Sequence, residues 1–307
     1  MRYYDHVKDL IGKTPLVKLH HPEIPAGVNV FAKLEFLNPG GSIKDRLGLK
    51  LLELAIENGL QEEGVIIEPT AGNTGIGLAL AAIGTKINII CVVPQKFSME
   101  KQTLMRALGA TVINTPTEEG MEGAIRKTEE LLKEIPNSYS PQQFQNAGNP
   151  LTYFETLGPE LYEDLDGQID IFIAGAGTGG TFMGCANYFK SINKEIKTVI
   201  VEPEGSILNG GESGPHRTEG IGMEFLPQYM NRGYFDAIYT ISDEAAFRRV
   251  KELAQLEGLL VGSSSGAAFE AVLQEAKNSS EGTNIVTIFP DSSERYLSKS
   301  IYEGDNV

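Results

Sequence analysis

Short apolar runs rich in β-branched residues alternate along this chain with longer segments whose apolar positions recur at helical spacing. VIIEP (65–69) reads as a buried strand, and GNTGIGLALAAIG (72–84) as the helix that follows it. INIICVVP (87–94), TVINTP (111–116), IDIFIAGAG (169–177), KTVIVEP (197–203) and TNIVTIFP (283–290) are further predicted strands. Helices are predicted over SMEKQTLMRALG (98–109), with Ser98 as its N-cap, and over 118–135, 243–258 and 264–277. Such alternation implies an α/β protein with parallel sheets and helices on both faces. QQFQNAGNP (142–150), polar and ending in proline, is the best candidate for a domain boundary. No low-complexity tract or solenoid period interrupts the pattern.

In open parallel sheets, ligands bind beyond the carboxyl ends of the strands, so the loops after strands hold the candidate chemistry. Thr70-Ala71-Gly72-Asn73-Thr74-Gly75 follows the first strand and opens a helix. A plain turn would need only its Gly and Asn; two threonines beside them suit an anion at a helix N-terminus. Gly175, Gly177 and Gly180 form a G-x-G-x-x-G pattern, and Glu202 ends the next strand where a ribose-binding acid would stand. Alone, that pattern suggests a nicotinamide oxidoreductase, yet a glycine loop with Thr178 and Thr181 serves any phosphate. Gly262-Ser263-Ser264-Ser265-Gly266 could be no more than a serine N-cap. Asn38-Pro39-Gly40-Gly41-Ser42-Ile43-Lys44-Asp45-Arg46 precedes an amphipathic helix and puts Lys44 in its first turn. The positive helix end disfavours a charged amine, which suits a lysine that must be neutral to attack a carbonyl.

The 307 residues suffice for two domains or one large α/β unit, and 41% hydrophobic with 22% charged residues is a globular composition. A net charge of −15 argues against nucleic-acid or anionic-membrane partners, which need basic patches. Cys91 and Cys185 lie in apolar stretches and read as reduced core thiols. The four histidines show no metal spacing with them, so no metal is expected. MRYYDHVKDL is no signal peptide and no run reaches membrane-spanning length, so a cytoplasmic setting is expected.

Together, in this order and at these intervals, the segments resemble the cysteine synthase and cystathionine β-synthase family, the fold-type II pyridoxal-phosphate enzymes. The resemblance runs from IGKTPLVKL (11–19) to PDSSERYLSK (290–299). It implies a fold like the tryptophan synthase β-subunit, with an N-terminal domain of 1–12 and 37–147 and a cofactor-binding domain of 13–36 and 148–307. Segment 87–131 would form a subdomain able to move. The resemblance makes Lys44 the residue that bears pyridoxal 5'-phosphate and then acts as general base. Gly177, Thr178, Gly179, Gly180 and Thr181 would hold the phosphate, Ser264 the pyridine nitrogen, and Asn73 the 3′-oxygen. Thr70, Ala71, Gly72, Asn73, Thr74 and Gln143 would receive the substrate carboxylate. A serine at the ring nitrogen, unlike an aspartate, would not keep it protonated, which favours loss of a β-substituent over transamination. A thiol then replaces the leaving group. The family further implies a homodimer.

Local departures bear on which thiol. The carboxylate loop has Ala71 where most of the family has serine. Glu219-Gly220-Ile221-Gly222 resembles the cystathionine β-synthase segment, and cysteine synthases usually have a neutral residue in place of Glu219. Pro290-Asp291-Ser292 has the same leaning. A carboxylate at Glu219, with Gly220, suits the ammonium of a second amino acid such as homocysteine, a group that sulfide lacks. The chain looks like the short bacterial branch without haem segment or regulatory domain, whose members join homocysteine to O-acetylserine (or serine), with cysteine desulfhydration to hydrogen sulfide as a side activity. The rivals are an O-acetylserine sulfhydrylase, an NAD-dependent oxidoreductase and a non-catalytic cofactor-binding scaffold.

Overall fold

The structure, a computed structural model, describes residue 1 and residues 3–303; residue 2 and residues 304–307, which belong to the two expected domains, lie outside the described residues. In chain order, strands β1 (Leu16–Lys18) and β2 (Asn29–Leu34) precede helix α1 (Lys44–Glu57). Then come β3 (Val65–Pro69), α2 (Asn73–Ala82), β4 (Asn88–Pro94), α3 (Met99–Ala107), β5 (Thr111–Thr115), α4 (Gly120–Glu134) and β6 (Ser138–Tyr139). Helices α5 (Gly148–Glu155) and α6 (Leu157–Asp164) lead to β7 (Ile171–Gly175), α7 (Gly180–Ile192), β8 (Lys197–Pro203) and β9 (Ala237–Ile241). Helices α8 (Asp243–Glu252) and α9 (Ser263–Ala276) and strand β10 (Asn284–Phe289) complete the order.

These elements form two compact units: 1–11 with 38–149, and 12–37 with 150–307. The first unit holds a four-stranded parallel sheet in the order β5-β4-β3-β6. Strand β3 is central and buried over its last four residues, which is why it reads as a continuous apolar run rather than an alternating one. Ile67 and Val92 pack against Ala124 and Leu131 of α4. Helices α1 and α2 meet backbone to backbone. A Cβ added to Gly48 would strike the Gly77 backbone, and one added to Gly77 would strike the carbonyl oxygen of Lys44.

The second unit holds a six-stranded sheet in the order β1-β2-β10-β7-β8-β9. Its pairs are parallel except β1 with β2, which run antiparallel in the register Val17 to Ala32. Its core joins Val30, Ile173, Val199, Val201 and Ile285 of the sheet to α8 and α9. Helix α8 gives way to a π-turn at Leu253–Glu257, so the predicted helix 243–258 is helical in two styles. Around α8, the nearly buried Arg249 donates to Glu270 at 2.6 Å and to Glu23 and Glu252. Glu23 and Glu252, with His21, form a cluster of metal-ligand types, but the guanidinium takes up both carboxylates. No helix among the described residues is long and apolar enough to cross a membrane. Cys91 and Cys185 are both buried thiols outside any disulfide.

Candidate active site

Lys44 is the first residue of α1. The turn before it is pinned from inside the helix: the carboxylate of buried Asp45 accepts the Gly40 N–H at 2.5 Å, and the Ser42 hydroxyl accepts the Lys44 N–H at 3.2 Å. Gly41 takes φ +80, which a glycine adopts without strain. Lys44 itself is half-buried, and burial pushes its amine down to about 8. The expected neutral tendency is present, and desolvation is its cause. Because the Gly77 backbone lies on the Lys44 carbonyl, the start of α1 is indexed to the first turns of α2.

That first turn of α2 is the predicted anion loop. Thr70 is buried and its Oγ1 accepts the Gly72 N–H at 3.0 Å, closing the loop on itself. Gly72 has φ +134, and a Cβ there would run into the Lys101 side chain at 2.5 Å. Both facts demand glycine. Asn73 and Thr74 open the helix, where backbone N–H groups lack helical partners. The Thr74 hydroxyl donates to Gln143 Oε1 at 2.7 Å, and Gln143 Nε2 donates to the Pro69 carbonyl at 3.0 Å. Gln143, distant in sequence, thus joins the loop. Thr74 spends its hydroxyl proton on Gln143, so what it offers an anion is its backbone N–H.

In the second unit, β7 ends at Gly175 and the chain turns through Gly177, Thr178 and Gly179 into α7. Gly179 is left-handed, with φ +81, and Thr178 Oγ1 accepts the Gly180 N–H at 3.4 Å. Tyr229 donates its hydroxyl to the Thr178 carbonyl at 2.8 Å and so braces the loop. A Cβ on Gly177 would strike the Gly220 carbonyl, which shows how closely the loop containing Glu219 lies against it. The Gly222 N–H donates to the Ala176 carbonyl at 2.9 Å, and the Glu219 N–H to Ser263 Oγ at 3.0 Å. Gly220, at φ +90, places its Cβ position 3.7 Å from the Ser264 hydroxyl. Loop 177–181, loop 219–222 and the serines that begin α9 therefore come together. Ser264 is buried.

Sequence reasoning passed over several supports of this arrangement. Asp243 accepts the N–H groups of Arg217 and Thr218 and so carries the Glu219 loop. Tyr296 donates to Asp291 behind the Gly262 turn, and burial, Asp291 and Glu219 together raise its phenol well above the usual range. Glu68, the last residue but one of β3, is fully buried. A buried acid at the end of an apolar strand was the one readable signal among these.

Pyridoxal phosphate requires a neutral amine, a cradle of N–H groups for a phosphate, and a partner for its ring nitrogen. The residues present fit these needs. Burial brings the Lys44 amine near neutrality. Gly177 to Thr181 form a glycine-rich cradle at the start of a 13-residue helix. Ser264 offers a buried hydroxyl. Glu202, the acid a nicotinamide reading would use, is already committed: it accepts the N–H groups of Leu208 and Asn209 at 2.8 and 2.9 Å and the Thr240 hydroxyl at 3.1 Å.

A family model described as pyridoxal-phosphate dependent enzyme matches residues 7–291. The chain belongs to that family. Pyridoxal phosphate is accordingly its cofactor, and the nicotinamide alternative falls. Among pyridoxal-phosphate dependent enzymes, it is 60% identical over 299 residues to an O-acetylserine dependent cystathionine beta-synthase of Bacillus subtilis, covering 97% of each chain. It is 54% identical to a cysteine synthase of Helicobacter pylori, over 96% of this chain and 98% of the relative. A solved O-acetylserine dependent cystathionine beta-synthase of Helicobacter pylori superposes with TM-score 0.95 at 53% identity, covering 98% of this chain and 100% of that one. The expected two-sheet, fold-type II architecture is therefore the one this family member has.

Proposed function

We propose that this enzyme joins homocysteine to O-acetylserine, with release of acetate, to give cystathionine. The observation that carries the reading is the Glu219 loop: the backbone N–H of Glu219 donates to Ser263 Oγ, and the residue lies one position from the contact of Gly220 with Gly177. A second amino acid brings an ammonium for that carboxylate to meet; sulfide brings none. The name of the Bacillus subtilis relative supports the same choice.

In this reading Lys44 bears the cofactor, Gly177 to Thr181 bind its phosphate, Ser264 faces its ring nitrogen and Asn73 its 3′-oxygen. When bound, pyridoxal phosphate supplies an electrophilic ring that accepts the electron pair freed at the substrate α-carbon. The protein does the rest. Lys44 Nζ, its charged form disfavoured by burial, is competent to take the α-proton as general base. The N–H groups of Asn73 and Thr74, with Thr70, Ala71, Gly72 and Gln143, receive the substrate carboxylate and fix the α-carbon. Ser264, a neutral partner, leaves the ring nitrogen uncharged, which favours departure of a β-substituent. Glu219 and Gly220 then orient the incoming homocysteine. Lys101 of α3 lies against Gly72, so a filled carboxylate loop is felt in segment 87–131, which we take to move as a subdomain. The enzyme works as a cytoplasmic homodimer and releases hydrogen sulfide from cysteine as a side activity.

The test is a panel of thiols with O-acetylserine, the products identified by mass. Cystathionine should dominate when homocysteine and sulfide are equimolar; a dominant cysteine product would make the enzyme a sulfhydrylase instead. Glu219→Gly should raise the homocysteine KM about tenfold or more while the O-acetylserine KM changes little, the size expected for one lost charge-assisted contact.

A further inference from the structure

Glu68 is the last residue but one of β3, fully buried, directly before the Pro69–Thr74 loop. It pairs in register with Cys91 of β4, so it stands in the middle of a sheet where a charge is costly. Both arms of its carboxylate are used. Oε1 accepts the Gln143 N–H at 2.9 Å, and Oε2 accepts the Gln142 N–H at 2.9 Å and the Ser140 hydroxyl at 3.4 Å. Only a carboxylate accepts on both arms; an amide would turn a donor toward one of these N–H groups. Gln142 is held at φ +55, a left-handed conformation that a non-glycine residue keeps only when its neighbours hold it there.

The consequence falls on Gln143. Its Nε2 donates to the carbonyl of Pro69, at one end of the loop, and its Oε1 accepts from Thr74, at the other. Asn149 Nδ2 donates to its backbone carbonyl at 2.8 Å. Gln143 is therefore a staple across the loop, and its backbone N–H is anchored to Glu68. We propose that Glu68 is a positioning residue for the amino-acid substrate: its carboxylate fixes Gln143, and Gln143 fixes the span of the loop that receives the substrate carboxylate. This rests on the assignment of Thr70 to Thr74 and Gln143 as the carboxylate site. Burial raises the Glu68 carboxyl to about 7 against the opposing pull of its three donors, so the buried acid is retained at a cost that simple capping does not require.

The experiment compares Glu68→Gln and Gln143→Ala with the wild-type holoenzyme. Three quantities are read: KM for O-acetylserine, KM for homocysteine, and backbone amide exchange over residues 140–146. Glu68→Gln should raise the O-acetylserine KM about tenfold, leave the homocysteine KM within about twofold, lower kcat far less, and speed exchange at Gln142 and Gln143. An unchanged O-acetylserine KM or unchanged exchange in Glu68→Gln, while Gln143→Ala raises KM, overturns the role of Glu68 alone. If Gln143→Ala also leaves that KM unchanged, the carboxylate-site assignment fails and the proposal with it. Should Glu68→Gln yield no soluble protein, Glu68→Asp is read the same way. Its shorter arm reaches one N–H less well, so wild-type KM and exchange there would overturn the proposal.

Discussion

Lys44 begins a helix and is half-buried, and its burial disfavours the ammonium form. With the amine brought down to about 8 from an ordinary 10.5, a useful neutral fraction exists near neutral pH. Reloading of cofactor-free protein with pyridoxal phosphate, followed by the cofactor's absorbance, should quicken with pH around a midpoint near 8. A midpoint at the ordinary lysine value would contradict the assignment. The same shift has a stability consequence. From pH 8 to 10.5 the unfolded chain keeps a proton that the folded cofactor-free chain has lost, so stability rises across that window and the cost is full below it. Urea unfolding of Lys44→Met, which has no proton to lose, should lack that rise and show no turnover. At this scale the sequence was informative where chemistry needs a particular residue type. Lys44, Asn73 and Ser264 stand in recognisable company. Asp45 and Asp243 were not legible, and Glu68 only as an acid within an apolar strand, because their work is to accept backbone N–H groups from loops whose position only the fold reveals.

Helices α1 and α2 are joined through glycine, and that contact couples Lys44 to the helix that follows the Thr70–Gly72 turn. Replacing glycine by alanine inside a helix ordinarily stabilises it by about 1 kcal/mol. At Gly77 the added methyl would strike the Lys44 carbonyl, and the backbone on the other side is that of Gly48's helix, which cannot rotate away as a side chain would. Overpacking of this kind costs about 1–3 kcal/mol. Gly77→Ala should therefore lower the thermal midpoint and, by displacing the start of α1, reduce kcat/KM at least tenfold. A variant with raised midpoint and wild-type turnover would show that the two helices slide freely. Element prediction from sequence succeeded where strands are buried on both faces, as in β3, β8 and β10, because their apolar runs are unbroken. It missed β1, β2 and β9. The edge strands β1 and β9 are only partly buried, and their apolar pattern is correspondingly weak. It also missed α5 and α6, whose stretch PLTYFETLGPELYEDL carries two prolines that read as breakers.

Over the whole chain, acidity is the dominant electrostatic fact, and the second unit answers part of it locally. Arg249 of α8 gathers Glu23 from the segment before β2, Glu252 from its own helix and Glu270 from α9. A hydrogen bond from Arg249 holds the Glu23 carboxyl down to about 2. The net charge of −15 was legible from composition, but not this pairing, which joins residues far apart in the chain. Removing the arginine leaves three carboxylates facing one another, with Glu270 only 12% exposed. Breaking a buried pair from one side typically costs about 3–5 kcal/mol, because the remaining charge loses its partner. Arg249→Leu should thus show a lowered urea midpoint at pH 7 by circular dichroism. The deficit should shrink on acidification. In the wild type, the Glu23 contribution is present above its ordinary carboxylate pKa and is lost as pH falls toward 2, whereas in the variant the crowded acids take up protons more readily and relieve their repulsion. A deficit that stays constant from pH 7 to pH 4 would assign the effect to lost packing of the arginine stem rather than to charge.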